Sequence, residues 1–211
     1  MTCIYIFGSL VRGEVDQYSD TDLLLISDNK LFKDVDSDKF SLYTPDRIKE
    51  LYNEGNPFAW HLYFESKLVY SSSEYDFLSQ IGKPSEYKNC KNDLLKFKNL
   101  FDESIISIKE NNYSLVFDLA MIFLAIRNFA TCYTLGCYQR PIFSRLAFEK
   151  LDDNYLILDD RIKELLMMSR ISSTRGIDYI IKEEYLSLFK LDIERINEWF
   201  NKIMRKYESG I

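Results

Sequence analysis

Residues 7–25 read FGSLVRGEVDQYSDTDLLL, and this stretch decides the predicted fold and function. One apolar run ends at Gly8-Ser9, and the next begins after two aspartates, Asp20 and Asp22. Because alternate residues of a strand project from the same face, the two carboxylates would lie side by side. Like charges at that distance repel each other, and a divalent cation between them would relieve the repulsion. The pair therefore predicts a metal site.

The residues around the aspartates favour a nucleoside triphosphate as substrate. Carboxylate oxygens suit Mg²⁺ or Mn²⁺, and Mg²⁺ commonly shares its coordination positions between carboxylates, water and phosphate oxygens. Gly8 would let the backbone come close to a phosphate, and Ser9 adds a hydroxyl and an N–H at the start of a helical turn. Arg12 follows one turn later, within reach of phosphate charge. The purely structural alternative is a turn followed by a solvated acidic loop.

Composition narrows the class of protein. The 211 residues are 46% hydrophobic, enough for a substantial core, and the formal charge of −6 removes the broad attraction to phosphate backbones that nucleic-acid binders use. Nucleic acid is therefore disfavoured as a partner.

The most apolar segment, Leu119–Ile126, is shorter than the roughly 20 residues that cross a bilayer, so no membrane partner is expected. The N-terminus resembles a strand more than a signal peptide, which favours a cytoplasmic location.

Two halves of different character predict an α+β protein. In residues 1–72 the runs CIYIFG, TDLLLIS, KFSLYT and HLYFESKLVYS are typical of strands, and PDRIKELYNEG predicts one helix between the third and fourth. Residues 73–211 contain long stretches with helical spacing of apolar residues, which indicate an α-helical bundle. The predicted domains are thus 1–72 and 73–211, a small sheet domain followed by a helical domain.

The motif GSLVRGEVDQYSDTDLLL resembles the signature of the DNA polymerase β-like nucleotidyltransferase superfamily, especially its minimal nucleotidyltransferases. In that signature Arg-Gly follows Gly-Ser, as Arg12 does here, and a serine, here Ser19, precedes the first aspartate. The resemblance implies a mixed sheet flanked by helices. It also implies that Asp20 and Asp22 are catalytic metal ligands, and that the Gly-Ser turn, Arg12 and Ser19 bind the triphosphate. Catalysis would depend on positioning and charge neutralisation, with two metal ions aligning a hydroxyl with the α-phosphorus.

A third carboxylate usually completes this site in the family, and here Ser41 stands where it is expected. Asp36, Asp38 or Glu65 could substitute for it, although surface charge is the simpler interpretation of Asp36 and Asp38. Without a third acid the protein could bind a nucleotide and not transfer it.

The single histidine, His61, is interpreted as a hydrogen-bonded residue on a strand, because no nucleophile motif accompanies it.

The helical half carries a second, weaker resemblance. LAIRNFATCY, which contains Arg127, is similar to a helix of HEPN-like domains, but Cys132 stands where those domains place a histidine. Kanamycin nucleotidyltransferase-like proteins also join such a sheet domain to helices that hold the acceptor. Both similarities imply a helical domain that follows the nucleotidyltransferase domain.

Two functions are therefore carried forward. The first is a Mg²⁺-dependent nucleotidyltransferase that moves a nucleoside monophosphate to a hydroxyl of a small-molecule or protein acceptor. The second is a catalytically impaired nucleotide-binding module with a regulatory or interaction role. In that role, the apolar helices could mediate a homodimer.

Overall fold

The computed structural model describes residues 1–15, 19, 21–28, 35–37, 39–110, 113–138 and 140–210. It divides into two compact units, Met1–Lys88 and Asn89–Ile211. The domain boundary predicted at residue 72 stays a prediction. The α+β class is confirmed, because a small mixed sheet at the N-terminus is followed by helices.

The sheet of the first unit has the strand order β3-β2-β1-β4. Its strands are β1 (Thr2–Phe7), β2 (Asp22–Ser27), β3 (Phe40–Tyr43) and β4 (Ser66–Ser71). β1 is antiparallel to both β2 and β4, with a register irregularity opposite β4, whereas β2 and β3 are parallel. Antiparallel pairing of β1 with β2 places Phe7 opposite Asp22, so the last residue of β1 and the first residue of β2 lie side by side at the same end of these two central strands.

The described part of this unit also contains the helices α1 (Ser9–Arg12), α2 (Pro45–Asn53), α3 (Pro57–Glu65) and α4 (Phe77–Ile81). Helix α2 was predicted and is confirmed; Thr44 caps it by accepting a hydrogen bond from the Arg47 amide at 3.2 Å, with Pro45 at its first turn.

The strand predicted over HLYFESKLVYS is wrong in its first part, because residues up to Glu65 belong to α3 and β4 begins at Ser66. Asn56 caps α3 by accepting a hydrogen bond from the Phe58 amide at 2.9 Å, and Pro57 fits its first turn. The aromatic residues of α3 favour a strand locally, but the cap and the packing of Ala59 and Leu62 in the core outweigh that preference.

One face of the sheet packs against α2, α3 and α4. Cys3, Tyr5 and Phe7 alternate along β1 and point into this core, where Leu24 and Ile26 of β2 join them. The helices contribute the buried residues Ile48, Leu51, Tyr52, Ala59, Leu62, Phe77 and Leu78. Because α4 contributes to this core, the compact unit extends past β4 to Lys88.

The second unit contains α5 (Cys90–Glu110), α6 (Leu115–Cys137), α7 (Asp160–Arg175) and α8 (Glu183–Ser209), with two short 3₁₀ turns before α7. α6 is central to it: twelve of its 23 residues are buried, while one strip of the helix, through Phe117, Met121, Leu124 and Asn128, is exposed or only partly buried. Phe129 of α6 packs against Trp199 and Phe200 of α8, with ring centroids 5.4 and 4.6 Å apart. The predicted bundle is confirmed.

Two features mark α6. Gly136 lies against α5 so closely that a Cβ there would be 2.4 Å from the Cys90 sulfur. In addition, α6 is, among the residues described, the one helix long and apolar enough to cross a membrane, and 56% of its most apolar window is buried. Central helices of water-soluble bundles share those properties.

Candidate functional site

The candidate site is built on the turn between β1 and α1. Gly8 has φ 75° and ψ −138°, a backbone conformation that is open to glycine and strained for other residues. Its carbonyl accepts hydrogen bonds from the amides of Val11 and Arg12 at 3.1 and 3.2 Å, which closes the single turn of α1. Ser9 is half-buried at the start of that turn. The turn predicted from the sequence is therefore a glycine turn that leads into a short helix.

Asp22 lies directly against this turn. It is exposed at the beginning of β2, and its Oδ2 is 2.6 Å from the position that a Cβ on Gly8 would occupy. The absence of a side chain on Gly8 is what leaves room for the carboxylate. Sequence reasoning placed Asp22 and Gly8 in one site on the motif alone, and the structure brings these two residues together.

Two other predicted site residues belong to the segment that precedes β2. Ser19 is half-buried there. Asp20, the first carboxylate of the predicted pair, lies outside the described residues. Within the described ranges no group of three or more His, Cys, Asp or Glu side chains could hold a metal ion. The exposed Asp22 carboxylate beside the open Gly8 turn still fits one ligand position of a hard divalent cation.

Arg12, predicted to contact phosphate, is held by carboxylates of the protein. Its Nε lies 3.0 Å from Oε2 of Glu14, and its guanidinium also makes a short contact with Oε2 of Glu65. The side chains of Arg12 and Glu65 are only 15% and 14% exposed. A guanidinium between two acids is already neutralised, so a phosphate would have to compete with Glu14 and Glu65 for it.

Glu65 links this arginine to the glycine turn and to the single histidine. Its backbone carbonyl accepts a hydrogen bond from the Gly8 amide at 3.1 Å, and its Oε2 lies 2.9 Å from Nε2 of His61. His61 is on α3, one turn before Glu65, and its ring meets that of Phe7 edge to face at 5.6 Å. The interpretation of His61 as a strand residue was therefore wrong, because His61 lies on a helix. The polar contact expected for its ring is observed, and Glu65 is the partner.

Ser41 stands at the position where the resemblance implies a third acid. β3 runs parallel to β2 with Ser41 opposite Leu24, so Ser41 and Asp22 lie on the same face of adjacent strands. Ser41 is exposed. Of the two substitutes suggested upstream, Asp36 is exposed and pairs with Lys39 at 3.1 Å, and Asp38 lies outside the described residues.

Sequence reasoning named Glu65 only as a substitute acid and missed its contacts with Arg12 and His61. The i,i+4 spacing of His61 and Glu65 would have indicated contact if the segment had been recognised as a helix.

The N-terminal part of the chain is similar to a known protein family. Residues 2–96, slightly less than half of the sequence, match the family model of the nucleotidyltransferase domain. The matched segment contains the Gly8 turn, Asp22 and the complete four-stranded sheet. Residues 2–96 are thus similar to a nucleotidyltransferase domain, and an α-helical region follows them, which is consistent with the polymerase β-like superfamily that the motif resembles. No curated protein and no solved structure matches it significantly.

Proposed function

We propose that the protein is a Mg²⁺- or Mn²⁺-dependent nucleotidyltransferase that moves a nucleoside monophosphate from a triphosphate to a hydroxyl of a small molecule or a protein. The approach of the Asp22 carboxylate to the Gly8 turn, within the segment that matches the nucleotidyltransferase domain, is the observation that supports it. In the reaction, the acceptor oxygen bonds to the α-phosphorus, the bond to the leaving phosphate oxygen breaks, and pyrophosphate departs. The acceptor proton passes to solvent.

Each residue of the site would have a distinct role. Asp20 and Asp22 would hold the divalent cation, whose charge would offset that of the triphosphate and favour attack by the acceptor. Gly8 would leave room for the phosphates, and Ser9 would donate a hydrogen bond to them from its hydroxyl. Ser19 would contribute to binding of the triphosphate, as the resemblance implies.

A charge argument supports a small-molecule or protein acceptor over nucleic acid. The chain carries 33 acidic against 27 basic residues, so it lacks the general attraction for a phosphate backbone. A homodimer through the apolar helices is a further part of this proposal.

The test measures binding and chemistry separately. The four nucleoside triphosphates are titrated with Mg²⁺ or Mn²⁺ by calorimetry, and pyrophosphate release is then followed with a panel of hydroxyl acceptors. We expect Asp22→Asn to reduce pyrophosphate release at least a hundredfold, with the melting temperature preserved because Asp22 is exposed. Asp46→Asn is the matched control, since Asp46 is an exposed aspartate of α2 that pairs with Lys49. Equal loss in both variants, or wild-type turnover in Asp22→Asn, would overturn the metal assignment.

A second candidate function is a nucleotide-binding module without transferase activity. Ser41, in place of an acid on the strand beside Asp22, favours it. This module would also bind triphosphate with metal, and Asp22→Asn would weaken that binding. Saturable binding without pyrophosphate release on any acceptor would favour the module, and release that depends on Asp22 would exclude it.

A further inference from the structure

Helix α1 is a single turn that cannot hold its conformation alone. It has four residues, Ser9–Arg12, all of which the structure describes, and none of them is buried. A turn this short is unstable by itself in water, because forming the first hydrogen bonds of a helix fixes several backbone angles at once. Gly8, which precedes it, has no side chain that could cap it. Contacts from another element must therefore hold the turn that lies against Asp22.

Glu65, the last residue of α3, contacts both ends of this turn. Its backbone carbonyl accepts a hydrogen bond from the Gly8 amide at 3.1 Å, and its carboxylate contacts the Arg12 guanidinium. α3 is itself fixed, since Ala59 and Leu62 are buried in the core of the unit. The position of α1 is thus set by a packed helix, through a hydrogen bond at the start of the turn and an ion pair at its end.

The guanidinium of Arg12 is held from two sides. Its Nε lies 3.0 Å from Oε2 of Glu14, whereas a terminal nitrogen contacts Oε2 of Glu65. Two carboxylates on different nitrogens fix both the position and the plane of the group. The Arg12 and Glu65 side chains are both largely buried. If the guanidinium moved to a phosphate, the Glu65 carboxylate would keep, among the residues described, only His61 as a side-chain partner, which is unfavourable for a charge at this depth.

We propose that Arg12 is a positioning residue, which does not contact the triphosphate but, together with Glu65, holds the Gly8-Ser9 turn against Asp22. The inference rests on the proposed function, because the ligand of that turn is the metal-bound triphosphate. It predicts that loss of the Arg12 charge and loss of the Glu65 charge both weaken triphosphate binding. Direct contact of Arg12 with a phosphate predicts opposite effects, because removal of the Glu65 charge would release the guanidinium to the phosphate.

Calorimetric titration of the full chain separates these cases. The Mg²⁺ complexes of ATP, GTP, CTP and UTP are titrated first, and the tightest is then titrated into Arg12→Gln, Glu65→Gln and the double variant, well below their melting temperatures. We expect each single change to weaken binding by about tenfold or more, as for other residues that orient the groups of a metal site. The double variant should bind no more weakly than the weaker single variant, because the two residues act as one unit. Tighter binding by Glu65→Gln, wild-type affinity in both single variants, or multiplication of the two effects would overturn the proposal.

Arg12→Lys tests the same point with the charge retained. An ammonium can neutralise a phosphate, but it lacks the planar fork that contacts Glu14 and Glu65 at once. We therefore expect Arg12→Lys to weaken binding nearly as much as Arg12→Gln, whereas wild-type affinity would overturn the proposal. Arg47→Gln is the matched control and should leave the affinity unchanged, since Arg47 is an exposed arginine of the same unit that also pairs with two acids.

Hydrogen exchange of the amides of residues 9–13 measures the turn itself, without a ligand. It should be faster in Arg12→Gln and Glu65→Gln than in Arg47→Gln, and equal rates would overturn the proposal.

Asp22→Asn separates this inference from the proposed function. Triphosphate binding that disappears in Asp22→Asn but is unchanged in the Arg12 and Glu65 variants would overturn the positioning role alone. Absence of triphosphate binding by the wild type, or wild-type binding by Asp22→Asn, would contradict the proposed function and, with it, this inference.

Discussion

Glu65 contacts Gly8 through its backbone and Arg12 through its side chain. The carbonyl accepts the Gly8 amide at 3.1 Å, while the carboxylate contacts the Arg12 guanidinium and lies 2.9 Å from Nε2 of His61. The end of α3 thus fixes both the turn that faces Asp22 and the arginine that follows it.

Glu65→Gln tests the importance of this carboxylate for stability. The variant keeps the backbone bond to Gly8 but loses the charge that faces Arg12, and both side chains are largely buried. We expect the free energy of unfolding to fall by about 1–3 kcal/mol, the usual range for a hydrogen bond to a charged group. Denaturant titration measures it. Glu54→Gln, at an exposed acid of the same unit, should change stability by less than about 0.5 kcal/mol; equal effects would contradict the prediction.

Gly8→Ala tests the close approach of Asp22. The new Cβ would lie 2.6 Å from Oδ2 of Asp22, and the backbone would also be strained. Gly82→Ala is the matched control, because Gly82 has nearly the same φ and ψ, 75° and −144°, but no atom within 4 Å of its Cβ position. We expect the control to cost about 1–3 kcal/mol from backbone strain and Gly8→Ala to cost clearly more by thermal or chemical denaturation. Similar values would mean that the carboxylate moves aside without cost.

Gly136→Ala tests the helix contact in the second unit. A Cβ there would be 2.4 Å from the Cys90 sulfur, so we expect a loss of about 1–3 kcal/mol, as for other overpacked cores, reduced by the better helix propensity of alanine. In a Cys90→Ala background the sulfur is absent, and the same change should cost less. A double-mutant cycle measures the difference, and strictly additive free energies would rule out the contact.

Stability should fall at alkaline pH because Cys90 is buried. Burial raises the pKa of this thiol from 9.0 to about 12, so between these values the folded chain retains a proton that the unfolded chain releases. The free energy of unfolding therefore decreases with rising pH, by at most about 1.4 kcal/mol per pH unit for this group. Urea titrations from pH 8 to 10 should give a shallower decrease for Cys90→Ala than for the wild type. Parallel pH profiles would contradict the assignment to Cys90, since buried tyrosines contribute equally to both.

Much of this architecture could be predicted from local patterns. The long helices follow from apolar spacing, and the proximity of Gly8 and Asp22 follows from a motif in which both residues flank paired strands. A strand was predicted over the second half of α3 because aromatic residues are typical of strands. Asn56-Pro57, however, is a signal for the start of a helix.

Contacts between residues that are far apart in the sequence leave no local sequence pattern. Glu65 is 53 residues from Arg12 along the chain, and Tyr5 is 71 residues from Asp76, to which its hydroxyl donates a hydrogen bond. No periodicity links such positions, so only the folded structure could bring them together.

The exposed position of Ser41 makes the chain a convenient scaffold for protein engineering. An acidic side chain introduced there would meet water instead of the apolar interior, and its strand places it on the same face as Asp22. Ser41→Asp would therefore add one acid on the same face as Asp22 in an otherwise unchanged chain, and its effect on the proposed nucleotidyl transfer could be measured directly.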